Sequence, residues 1–304
     1  MSTKPMPTPE SFDELLARTT TIRILDWDFH SDPPKVGTTL VFETASPADV
    51  VLFGSAFEVQ PSEPFHCMCA GELLIELRGP AGPSIELTLH HGKSIRWAGW
   101  SSDALLKNGR AAVQWLAERG VEQPLRNFEA AESQTNLARE AKRRWQEAMP
   151  PCLIQFLPRL IGDFFAFEAT AAELRGLDQA LEAAYGSEEE VVIHLLDWFG
   201  HGEGPWSGFP AYEQTAEKLL LRHSSSVIVR SVEGRQLTSE EVEAVARFFS
   251  SFSFSKERQA DLKSIPSELM TRLASHMQTS DYADNRERFQ KTFGRWAAGS
   301  NRSG

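Results

Sequence analysis

The hydrophobic period of this chain changes once, and that change constrains the fold more than any other feature. Up to about residue 120, apolar residues alternate with polar ones in short runs. From Pro124 nearly to the end they recur every three to four residues. A period of two belongs to half-buried strands, and a period near 3.6 to helices packed by one face. The chain has 304 residues, more than the usual domain of about 100–200, so the change of period is also a natural division. The pattern predicts an α+β domain over residues 1–122 and an all-helical domain over 123–304.

Within the first half, Leu25, Trp27 and Phe29 share one face of a strand, opposite Asp26, Asp28 and His30. Val50 to Phe57 and Phe65 to Cys69 read as further strands. Leu73, Ile75 and Leu77 alternate with polar residues, Gly79 to Pro83 turns the chain, and Ile85, Leu87 and Leu89 alternate again. His91-Gly92 makes a second turn before Ile95 and Trp97. Ser11-x-x-Glu14 has the form of a capping box for a short helix, and Ser101 or Ser102 caps a helical region over Ala104 to Arg119. Consecutive strands joined by short turns predict a mainly antiparallel sheet with its few helices on one face.

In the second half Leu137, Ala141 and Trp145 mark one face of a long helix that Pro150-Pro151 ends. Leu153 to Phe165 is apolar on most sides and reads as a buried helix kinked at Pro158. Three capping boxes, Thr170/Glu173, Ser187/Glu190 and Thr238/Glu241, open helices near 170–185, 187–199 and 238–251. Others are expected over 210–222, 266–278 and 281–298, while Ser224 to Glu233 fits a strand or a helix. Such a succession predicts a helical bundle or a short stack of helical hairpins.

Charge and cysteine content restrict the function. The formal net charge is -11, and the acidic excess is divided almost evenly between the halves. Such a surface repels phosphate backbones, so no nucleic acid partner is expected and a basic protein partner is. Cys67, Cys69 and Cys152 are too few and too unevenly spaced for a disulfide framework, which predicts free thiols and a cytoplasmic location. The most apolar stretch, Cys152 to Phe167, contains Gln155, Pro158, Arg159 and Asp163 and is too short for a bilayer, so no membrane role is expected.

Several constellations are candidates for chemistry. Asp26-x-Asp28-x-His30-x-Asp32 places four polar groups on one strand face, but neighbours there lie about 7 Å apart, too far for one cation to bind all four. Cys67-x-Cys69 shares a face, and with His90 it offers two thiolates and an imidazole to a metal such as zinc; two small buried apolar residues are the other reading. Gly92-Lys93-Ser94 has the end of a P-loop, but Leu87 stands where the first glycine belongs and a strand follows, so a P-loop is excluded. Arg139, Lys142, Arg143 and Arg144 form a basic cluster near a helix C-terminus, where cations offset the dipole. The least generic stretch runs from Trp198 to Glu213. Its aromatics Trp198, Trp206, Phe209 and Tyr212 and its polar His201, Glu203 and Glu213 form either a binding loop or a staple between helices.

The stretches His91-Gly-Lys-Ser-Ile-Arg-Trp97 and Gly204-Pro-Trp-Ser-Gly-Phe-Pro-Ala-Tyr212 resemble segments of uncharacterised bacterial proteins, some labelled as containing HEAT repeats. The resemblance implies an N-terminal α+β domain followed by a HEAT-like helical region, and it carries over no catalytic residue. With no Rossmann glycine run, H-E-x-x-H or G-x-S-x-G motif, no cofactor is expected. The expectation is a non-catalytic cytoplasmic interaction module of immunity or adaptor type. The alternative is a small-molecule or metal-dependent enzyme using the 198–213 loop.

Overall fold

Every strand pairing in the sheet is antiparallel, as the short turns between alternating runs require. The structure is a computed structural model, and it describes residues 4–28, 35–80, 83–160 and 170–300. Two units, Met1–Asn136 and Leu137–Gly304, each have a hydrophobic core.

The first unit runs α1 (Pro9–Ala17), β1 (Thr21–Asp28), β2 (Lys35–Thr44), α2 (Pro47–Ala56), β3 (Val59–Gln60), β4 (Leu73–Arg78), β5 (Ile85–His90), β6 (Ser94–Trp97), β7 (Ala104–Leu106), α3 (Gly109–Ala117) and the start of α4 (Gln123–Glu147). The strand order is β2-β1-β4-β5-β6-β7-β3. Register places Ile24 beside Ile75, Ile75 beside Leu87 and Leu87 beside Trp97, so one apolar row crosses four strands. Phe12, Phe53, Val113, Leu116 and Phe128 from the helices complete that core. Trp115 meets Phe53 and Phe57 edge-on, with ring centroids 5.3 and 6.0 Å away. Fully burying a side chain of this size contributes roughly 1.5–3 kcal/mol.

Several expectations for this unit are corrected. Val50 to Phe57 belongs mostly to α2, because Ser46 accepts from Asp49 N–H and Pro47 opens the helix. A short, mainly apolar run does not separate strand from helix; the cap does. Phe65 to Cys69 has no regular structure. The first helix is capped by Thr8, with Ser11 completing the reciprocal box, one turn before the predicted position. Ala104 starts a strand, paired with β3 and β6, and the helix follows from Asn108, whose side chain accepts from Ala111 N–H.

The second unit takes the remainder of α4 and then α5 (Leu157–Leu160), α6 (Ala171–Tyr185), α7 (Glu188–Gly200), α8 (Gln214–Leu220), α9 (Ser225–Val232), α10 (Ser239–Ser250), α11 (Phe252–Arg258), α12 (Ser267–Gln278) and α13 (Ala283–Ser300). Reciprocal boxes at Thr170/Glu173 and Thr238/Glu241 are present, and Ser187 accepts from Glu190 N–H. The ambiguous Ser224–Glu233 is helical, with Ser224 as its cap. The apolar stretch after Pro151 opens with a 3-10 turn, Pro151–Phe156, and α5; its continuation lies outside the described residues. Helix α7 is central, burying Val191, Val192, Leu195, Leu196, Trp198 and Phe199. The period changes where α4 begins, whereas the units divide within it: Phe128 joins the first core and Trp145 the second. Among the described residues no helix is long and apolar enough to cross a membrane.

Candidate metal centre

The face of the β5–β6 hairpin opposite the core is polar. Leu87, Leu89 and Ile95 point inward, so period two directs Thr88 and His90 the other way, and Arg96 lies opposite Thr88 across the ladder. The irregular segment before β4 brings Cys67 and Cys69 to this face. It makes no sheet ladder; a buried carboxylate holds it instead. Asp103, with no exposed side-chain surface, accepts from Cys67 N–H at 2.9 Å, and its own N–H donates to Phe65 O at 2.9 Å. Arg96 donates to both oxygens of that carboxylate, at 2.7 and 2.9 Å, and also to Cys67 O. His66 adds contacts from Nδ1 to Asp103 at 3.2 Å and from Nε2 to Ser101 O at 3.1 Å.

Cys67 Sγ, Cys69 Sγ and a ring nitrogen of His90 all lie within 4.8 Å of one another, so the three residues named from the sequence come together, through a loop rather than a strand. Cys67 donates to Cys69 Sγ at 3.1 Å, Cys69 Sγ meets His90 Nδ1 at 3.0 Å, and His90 Nε2 meets Thr88 Oγ1 at 2.9 Å. Gly71 makes the approach possible: its φ is +103°, and a Cβ there would meet Thr88 Cβ at 3.1 Å and Leu89 O at 3.2 Å.

The electrostatics leave His90 ready to ligate and hold Cys69 toward its thiol form. Burial, with help from the Arg96 charge, lowers the His90 pKa to about 4, so the ring is neutral near pH 7 and one nitrogen carries a lone pair. In the tautomer in which Thr88 Oγ1 accepts from Nε2–H, that lone pair is on Nδ1, facing Cys69. Burial, then the hydrogen bond from Cys67, pushes the Cys69 thiol up, while the Gly71 N–H and the Arg96 charge oppose the rise. Burial alone would raise the Asp103 carboxyl; Arg96, the Cys67 N–H and His66 together hold it below the ordinary carboxylate value.

The other candidates have different surroundings. Trp198 Nε1 donates to Trp145 O at 3.0 Å, and Trp206 Nε1 donates to Glu243 at 3.1 Å. Phe209 packs edge-on against Phe199 and Tyr212 against Trp145. Burial, followed by the Glu213 charge, pushes the Tyr212 hydroxyl up to about 12. Glu213 pairs with Arg247, Glu203 with Arg144, and His201 Nδ1 meets Asp197 O at 2.8 Å. Arg143 in the basic cluster pairs with Glu140 and Glu147, and Lys142 lies 5.7 Å from the Tyr212 ring centre. Lys93-Ser94 leads into β6. His30 and Asp32 lie outside the described residues.

Sequence reasoning missed Thr88, Arg96, Asp103 and Gly71 at the candidate metal centre, and Arg247 beneath the aromatic loop. Only Thr88 had a local signal, two residues before His90 on the same strand face. No family model, curated protein or solved structure matches this chain.

Proposed function

We propose that this chain binds a transition-metal ion of the zinc class through Cys67, Cys69 and His90. The observation that carries the proposal is the convergence of three donor atoms within 4.8 Å. Two sulfurs and an imidazole suit zinc and other thiophilic ions rather than calcium or magnesium, which take oxygen. Zinc–sulfur bonds of about 2.3 Å set two sulfurs about 3.8 Å apart in a tetrahedral site. Ion entry therefore widens the 3.1 Å Cys67–Cys69 contact by less than about 1 Å. Thr88 on Nε2 fixes the ring and leaves Nδ1 for the metal, the usual outer partnership of a ligating histidine. Arg96, paired with Asp103, places positive charge beside the thiolates. Three protein ligands leave a fourth position for water or substrate, as in catalytic zinc sites, where the ion activates water or polarises a carbonyl.

Metal content of the purified full chain, with cobalt substitution, tests this. The expected result is one equivalent per chain with sulfur-to-cobalt charge-transfer bands, both lost in Cys69→Ser. A folded wild-type chain that takes up neither zinc nor cobalt overturns it.

A second reading, protein interaction, is favoured by the sheet edge. Among the described residues β2 is a terminal strand, ten residues long, with Leu40 and Val41 45% and 40% exposed. An extended segment of a partner can add to such an edge, and the -11 charge favours a basic one. In this reading the helical half is a HEAT-like docking stack of a cytoplasmic adaptor. Affinity capture from the native host that returns no stoichiometric partner counts against it.

A further inference from the structure

Cys67 and Cys69 meet at 3.1 Å, sulfur to sulfur, while a disulfide bond is about 2.05 Å long. Closing about 1 Å between two side chains is a small movement, and it runs opposite to the widening that a zinc ion requires. The same two sulfurs therefore have two mutually exclusive states, one spread around a metal and one joined to each other. Access is also built in. Met68, between them, is 98% exposed, and both cysteines are partly exposed, so a small oxidant reaches the sulfurs from solvent. Cys152 belongs to the other unit and is not among these donors.

We infer that the Cys67–Cys69 pair is a redox switch on the metal centre: a peroxide oxidises it to an intrachain disulfide and the ion is released. This rests on the metal-binding reading above. One sulfur attacks a peroxide oxygen: the S–O bond forms, the O–O bond breaks, the sulfur becomes a sulfenic acid, and the other oxygen leaves as hydroxide and is protonated to water. The second sulfur then attacks the sulfenic sulfur, forming the S–S bond and expelling the sulfenic oxygen. For the loaded site, two thiolates, one zinc ion, one hydrogen peroxide and two protons give one disulfide, one free zinc ion and two waters. The sulfurs lose two electrons in all, and the peroxide gains them. Once joined, neither sulfur carries the charge that held the ion, and His90 alone does not retain it. The ring so formed is small and lies at the surface, where disulfides are the readily reduced kind, so a thiol reductant restores the site.

The test uses the full-length chain with Cys152→Ser, loaded with zinc and exposed to one equivalent of hydrogen peroxide. Zinc release is followed with a chromophoric chelator, and the peptide carrying residues 67–69 is weighed. The expected result is release of the bound zinc in step with a loss of two hydrogens from that peptide, and recovery of both after dithiothreitol. Bound zinc that stays bound, or that leaves with sulfinic acid or an interchain disulfide instead, overturns the switch and leaves the metal site standing. A folded chain that holds no zinc before oxidant is added overturns the metal reading and the switch with it.

Discussion

Arg247 on α10 and Glu213 beside α8 form an ion pair in which neither side chain has any exposed surface. The guanidinium also donates to Phe199 O at 2.8 Å and lies against the rings of both Phe199 and Phe209, 4.5 and 4.3 Å from their centres. The other Glu213 oxygen accepts from the N–H groups of Glu203 and Gly204, both at 3.2 Å. Gly202 is where the pair passes the chain, since a Cβ there would meet the guanidinium at 2.0 Å. Gly202, Gly204, Phe199 and Phe209 of the 198–213 loop are thus arranged around one buried pair.

Removing one partner should cost far more than removing both. Arg247→Met strands a carboxylate in the core, and breaking such a pair costs about 3–5 kcal/mol. Arg247→Met combined with Glu213→Leu leaves no charge behind and should recover a large part of that loss. Denaturant unfolding of the two single variants and the double variant measures the coupling. A double variant no more stable than either single one would show that the pair acts through packing alone.

Glu217 on α8 should make stability fall as pH rises. It is buried, one carboxylate oxygen has no hydrogen-bond partner among the described residues, and burial raises its pKa above the ordinary 4.5 despite hydrogen bonds with Ser251 and Ser253. An acid whose folded pKa is raised favours the native state fully below the unfolded value. That contribution is lost as pH rises through the folded value. Each unit of difference corresponds to about 1.4 kcal/mol. Glu217→Gln should therefore be more stable than the wild type at pH 7 and no better at pH 4. Thermal melts at the two pH values decide it; an equal gain at both would point to a cause other than ionisation.

The α+β architecture was legible because its signals are local. Alternation at Leu73–Leu77 and Ile85–Leu89 fixes which side chains face the core within a few residues, and Thr170/Glu173 or Thr238/Glu241 announce a helix within one turn. Val50–Phe57 misled because so short and mainly apolar a run shows no clear period, and Ser46 and Pro47 lie outside the run itself. At the candidate site Cys67, Cys69 and His90 were nameable by residue type, but the strand assumed for the cysteines is a loop. What brings it to β5 is Asp103, 36 residues from Cys67, with Arg96. No local pattern marks such a pairing. Arg247 was missed for the same reason, since it lies 34 residues from Glu213 in an ordinary amphipathic helix.

Asp103 should couple the fold of the first unit to its metal affinity. Its carboxylate is buried and joins Arg96, the Cys67 N–H and His66. Asp103→Ala leaves the Arg96 guanidinium without its partner and the Cys67 N–H without its acceptor, with an expected loss of about 3 kcal/mol or more. Zinc affinity should drop in the same variant, because Cys67 loses its hold on the hairpin. Unfolding monitored with and without zinc tests both parts. Unchanged affinity in a destabilised protein would separate the anchor from the site.

Thr88 offers a second test, because its side chain reaches the site through its contact with His90. Its hydroxyl meets His90 Nε2 at 2.9 Å, while its backbone stays in the β4–β5 and β5–β6 ladders whatever the side chain. Thr88→Val keeps the branched shape, so the strand and the position of His90 should persist. What it removes is the Nε2 partner that allows the tautomer with its lone pair on Nδ1. Without it the ring is free to adopt the other tautomer or to turn, and the Nδ1 donor set must be recovered on binding. Loss of such an outer partner typically lowers metal affinity about 10–100-fold. Competition against a chromophoric chelator should show a decrease of that size, while the metal-free chain loses about 1–3 kcal/mol because buried His90 keeps an unpaired ring nitrogen. Thr88→Ser, which restores the hydroxyl, should bind close to the wild-type level. Equal affinity in Thr88→Val and the wild type would mean that His90 ligates through Nε2 or not at all.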